Sequence, residues 1–236
     1  MPGRRTEARR LATADHHHSK SIYPGAALAI ASVIFVGFSR NYYLRAWLGT
    51  RVLTFLVHLH GMVMTAWVVL FVTQALLIAK HRVDLHRKLG ILGAVLAVMV
   101  LGLGVFTILH AIERQKPGAN ATLFMELFVA FDGISLMIFA GLVLVALLYR
   151  QRGEIHKRLM LIAMISLMPP AYGRLIANVT HDNVELLVLA MMYTTALSCL
   201  LVDAWRQRRV HPAFVIGSLL VMASTQLTYF AQTHTP

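Results

Sequence analysis

The 236-residue chain has one cysteine, ten acidic residues and few charges of either sign, and each shortage excludes something. Cys199 alone can form neither an intramolecular disulfide nor a cysteine-cluster metal site. Charged residues make up 14% and apolar ones 58%, where an average soluble domain has about 25% and about 45–50%. So few charges leave a soluble globule's surface uncovered, which excludes a soluble enzyme. A nucleophile elbow, an HExxH zinc helix and a phosphate-binding glycine loop are also missing. What abounds is apolar sequence, with a mean hydropathy of +0.66, the composition of a multi-pass membrane protein.

Seven apolar runs approach or exceed the about 20 residues that cross a bilayer as a helix: 23–40, 53–79, 89–111, 122–149, 158–178, 184–204 and 212–231. The seventh is the weakest, diluted by Ser218, Ser224, Thr225 and Gln226. Residues 1–22 are polar and basic, a disordered tail ahead of a 23–236 membrane domain. The formal charge of +12 suits membrane topology better than nucleic acid, because no basic stripe interleaves with aromatics. With the N-terminus inside, the outer segments hold only Arg40, Arg45, Arg51, Arg114, Lys116 and Arg174. All other Lys and Arg fall in the tail or an inner loop. The positive-inside rule thus sets the N-terminus in the cytoplasm and the C-terminus outside.

Two inner loops repeat. KHRVDLHRKL (80–89) aligns with RQRGEIHKRL (150–159) at an offset of 70 residues, laying the second and third runs over the fourth and fifth. The expected fold is all-α, with seven transmembrane helices and a parallel duplication across a core of about 53–178. Helices 1, 6 and 7 are expected to surround that core. In the inner segments LHRKL and IHKRL the cations are expected to anchor on lipid phosphates. Pro169-Pro170 is expected to kink the fifth helix.

Polar groups inside lipid carry the functional information, because an Asp at a helix centre costs about 2.5–3.5 kcal/mol. They gather in the outer halves: His58 and His60, His110, Glu126 and Asp132, then Arg174 and Asn178. The inner halves are read as holding no comparable deep charge. A rise of 1.5 Å per residue places Glu126 and Arg174 about 6 Å deep, His60 about 10 Å and Asp132 about 15 Å. Glu126 could therefore pair with Arg174, and His60 with Asp132. His58 and His60 lie about 200° apart around one helix and cannot share a site, and Gly61 beside His60 admits a close neighbour.

Three readings stay open. In the first, the groups are inter-helix hydrogen bonds that fix packing. In the second, they hold a cofactor: haem b on His60 with His110 or His181, or copper, for which His58 with Met62 and His60 with Met64 stand at i,i+4. In the third, they form a proton or substrate path.

Several phrases taken together resemble a widespread group of uncharacterised bacterial multi-pass membrane proteins. They are GFSRNYYL (37–44), HLHGMVMTAW (58–67), FVTQALLIA (71–79), LHRKLGILGA (85–94) and IHKRLMLIAMISL (155–167). More distantly, the chain is similar to histidine-bearing membrane proteins that act in respiratory oxidase assembly. The resemblance implies a bacterial inner membrane, a haem- or copper-related role and a respiratory complex or a homo-oligomer as partner, and it supplies no catalytic residue. The expected function is therefore non-enzymatic and redox-associated, with a polar site on the periplasmic side; a small permease or proton-coupled carrier and a ligand-free structural subunit are the alternatives.

Overall fold

A computed structural model describes residues 22–49, 52–113, 119–180 and 182–234; for 119–131 and 231–234 only the backbone is described. The elements are α1 (Tyr23–Phe38), α2 (Phe55–Ala79), α3 (Val83–Glu113), α4 (Ala119–Leu148), α5 (Gly153–Ser166), α6 (Pro169–Ala177), α7 (Val184–Gln207) and α8 (Pro212–His234). There is no strand among the described residues. Five helices are long and apolar enough to cross a membrane alone: α1 with its extension to Tyr43, α2, α3, α7 and α8. The α5–α6 pair makes a sixth if taken as one span. The fourth run is the helix α4, whose described side chains begin at Asp132.

Local sequence explains most of the ends. Pro24 opens α1, where a missing N–H costs nothing. Thr54 caps α2 by accepting from the Val57 N–H. Past Phe38 the chain widens into a π-helical turn, Ser39–Tyr43, then forms one helical turn, Arg45–Leu48, that stops at Gly49 with φ +62°. The π turn directs two tyrosines at α2. The Tyr42 hydroxyl donates to the His58 carbonyl at 3.2 Å, and Tyr43 bonds Thr65 at 3.0 Å. Gly61 is where Tyr42 lies flat on the helix, since a Cβ there would overlap its ring. The close neighbour expected at Gly61 is this tyrosine.

The expected kink is a full break. Pro169 and Pro170 lack N–H donors and clash with the preceding turn, so α5 stops at Ser166 and α6 restarts on the prolines, bent by 41°. The Ser166 hydroxyl donates to the Ala163 carbonyl at 2.8 Å, satisfying one group at the break.

The centre of the bundle is α5. Leu161, Ile162, Ala163 and Ile165 are wholly buried on all sides of this helix, which packs against α4, α8, α1 and α7, while α6 packs against α1 and α7. Beside it, the Trp67 indole donates to the Met164 sulfur at 3.0 Å and meets Phe139 edge-on, ring centres 5.2 Å apart. By contrast α3 packs on α2 and α4 and exposes Ile91, Val98 and Phe106. The two aligned loops form the same local unit, α3 and α5 starting at the matched residues Val83 and Gly153. Their settings differ: the second copy is central and the first peripheral. Ser218 and Thr225 point inward, and Ser224 and Thr225 return their hydroxyls to the Val221 carbonyl.

Candidate ionisable sites within the bundle

In the half of the bundle expected to lie outward, three of the expected residues come within electrostatic range. The Arg174 charge acts on His60 from α2 and on Asp132 from α4. α6 positions Arg174: its Nη1 donates to the Pro170 carbonyl one turn back at 2.9 Å, and the guanidinium lies 4.5 Å over the Phe38 ring of α1. Here α1 and α6 are in direct contact, and the charges of α2 and α4 act on Arg174 without touching it. Gly37 brings α1 this close, against the backbone of Ala171. No ion pair closes between Arg174 and Asp132, and the buried His60 Nδ1 has no partner among the described residues. The site holds opposite charges that face one another without contact.

The other expected members stand apart. His58 points away from His60, as the helical offset requires, and its Nε2 accepts from Arg45 at 3.1 Å. His110 lies 4.0 Å from Glu113 on its own helix. Asn178 is exposed at the end of α6. The Glu126 side chain and His181 lie outside the described residues. His58, His60 and His110 thus have three different sets of neighbours. Among the described residues no three His, Cys, Asp or Glu side chains gather as a metal-ligand group. Met62, proposed as a soft partner of His58, is exposed.

The end of the bundle expected to lie inward holds buried charge that depth counting did not single out. Arg158 is 0% exposed and Asp203 1%. The Arg158 Nε donates to Asp203 Oδ2 at 2.8 Å, and its Nη1 to Glu154 Oε2 at 2.7 Å and to the Glu154 carbonyl at 2.6 Å. The Tyr23 hydroxyl donates to Asp203 Oδ1 at 2.9 Å. Lys157 bonds Glu154 at 2.6 Å and lies over the Tyr23 ring at 5.2 Å. This network ties α1, α5 and α7 together. In IHKRL, then, Arg158 is no lipid anchor, because its charge is spent inside the protein. The signal for Asp203 was available, an acid two residues before the end of the apolar stretch LLVDAW; that for Tyr23 was not, since a tyrosine at a helix start fits the membrane interface equally well.

The two sites differ in state. The inner one is closed by direct bonds, and the outer one is not. Between them, Leu161 to Ile165 and Trp67 form a packed apolar middle.

No family model matches this chain, and neither the curated proteins nor the solved structures contain a match.

Proposed function

We propose that the chain is a seven-span, redox-associated protein of a bacterial inner membrane, with its N-terminus in the cytoplasm. Its outer site, His60–Asp132–Arg174, binds a lipid-soluble ligand with exchangeable protons, of the hydroquinone class. The observation that carries this reading is charge set near charge without a bond: Arg174 acts electrostatically on His60 of α2 and on Asp132 of α4, and among the described residues it makes no ion pair with Asp132. Imidazole and carboxylate accept hydrogen bonds from hydroxyl groups, and a guanidinium stabilises an oxyanion. Such groups are costly in lipid unless something polar completes them. The packed apolar middle supports a ligand that enters from one leaflet over a hydrated solute that crosses.

The test uses protein in nanodiscs titrated with a short-chain benzoquinone and its hydroquinone, followed by quenching of Trp67, seven residues from His60. Saturable binding is expected, weakened at least tenfold by Arg174→Leu and by Asp132→Asn. Non-saturable partitioning that is identical in all three proteins would overturn the reading.

A carrier is the second reading, favoured by the bend at α5–α6. Broken helices commonly hold transporter sites, and here an open outer site and a bonded inner one flank the break. It predicts pH-driven solute flux in proteoliposomes that Asp132→Asn abolishes.

A further inference from the structure

The histidines at matched positions of the two repeated segments, His86 and His156, face each other near the inner end of the bundle. Their ring centres are 6.3 Å apart and their planes nearly perpendicular, at 84°. One comes from α3 and the other from α5, and both helices pack along α4. His156 Nδ1 stands 2.8 Å from the Ala146 carbonyl. A carbonyl can only accept, so this nitrogen carries the proton and Nε2 keeps its lone pair. A backbone carbonyl in that position is the usual support of a metal-ligating imidazole. His86 Nδ1 is enclosed and has no partner among the described residues, and the same holds for Oε1 of Gln74, whose amide nitrogen donates to the His86 carbonyl at 3.2 Å.

We infer that His86 and His156 are the two axial ligands of a haem. The spacing supports it: two metal–nitrogen bonds of about 2 Å each, plus the half-widths of two five-membered rings, give about 6 Å between ring centres across one metal in line. A tetrahedral ion would draw the rings closer and need two further ligands, and no third His, Cys, Asp or Glu joins the pair among the described residues. A metal that brings its own four equatorial nitrogens needs only two imidazoles. Charge points the same way. Arg82, Arg87, Lys88, Arg150 and Arg152 are exposed on the adjoining loops and helix starts, and none closes an ion pair with a described carboxylate. They repel a bare dication and attract the two propionates of a haem. The inference stands independently of the outer site, and it moves the haem away from His58, His60 and His110.

The full chain, purified in mild detergent without added haem, is titrated with haemin, and absorption spectra are recorded oxidised and reduced. The expected result is saturation at one haem per chain with a low-spin, bis-imidazole spectrum. His86→Ala and His156→Ala should each weaken binding at least tenfold or convert the spectrum to high spin, while His58→Ala, His60→Ala and His110→Ala leave it unchanged. His156→Gly with added imidazole should regain the low-spin band, which a merely unfolded variant would not. Absence of saturable binding by the wild-type protein would overturn the proposal, as would a low-spin spectrum unaltered in both inner variants. Benzoquinone titration of the same preparation reads the outer site separately, so either proposal can fail alone.

Discussion

Replacing Asp203 with alanine is expected to destabilise the protein by about 3–5 kcal/mol, the usual cost of stranding one charge of a buried pair. Arg158 is wholly enclosed and already has one nitrogen, Nη2, without a partner. Its other acid, Glu154, has a side chain 48% exposed and shared with Lys157, so water screens it and it cannot replace Asp203. Removing Asp203 also releases the Tyr23 hydroxyl, which frees α1 from α7 at the inner end. Tyr23→Phe removes that hydrogen bond and leaves both charges in place, and should cost about 1 kcal/mol. The double variant Asp203→Ala, Arg158→Met removes both charges and should recover much of the loss, because a matched apolar pair pays no desolvation penalty. Equilibrium unfolding in detergent measures all three. A single Asp203→Ala variant as stable as the wild-type protein would show that Arg158 is not held by this pair.

The second large effect is expected at Gly37. A Cβ there would stand 2.5 Å from the Ala171 carbonyl oxygen and 3.1 Å from its carbon, both backbone atoms that no rotamer change can move. Gly37→Ala should therefore push α1 from α6 and destabilise by about 1–3 kcal/mol, the cost of overpacking. This runs against helix propensity, which by itself favours Ala over Gly by about 1 kcal/mol. Gly141 is the control: it lies in α4 with nothing within 4 Å of its added Cβ, so Gly141→Ala should be neutral or stabilising. Because Phe38 follows Gly37 and carries Arg174 on its ring, the Gly37 variant should also lose benzoquinone binding at the outer site, while haemin binding at His86 and His156 persists. Equal stability of the two alanine variants would refute the close contact.

The outer site was legible in part. His60, Asp132 and Arg174 stood out because ionisable residues inside apolar runs are rare, and depth counting placed them in the same half. The same counting added His58 and His110, which point elsewhere: depth gives height in the membrane and says nothing of direction around a helix. The inner network was missed for a related reason. Arg158 sits in a loop-like basic segment, where a cation reads as solvated or lipid-bound. Its burial depends on α1 and α7 closing over α5. The repeat had a similar limit. Alignment of LHRKL with IHKRL matched His86 to His156, but that the two rings meet, one from a peripheral helix and one from the central one, could not be read from the alignment.

By itself, the sequence determined the helical membrane class and most helix ends. Hydrophobicity summed over about 20 residues, a proline pair and a threonine cap act locally, and a bilayer leaves helices as the only economical answer for such runs. Tertiary structure alone decided the partners. Arg158 and Asp203 are 45 positions apart, and Tyr23 and Asp203 180. Over such separations no local rule relates two residues. The way helices turn and stack about α5 chooses which charges meet, which stay apart, and which two histidines face each other.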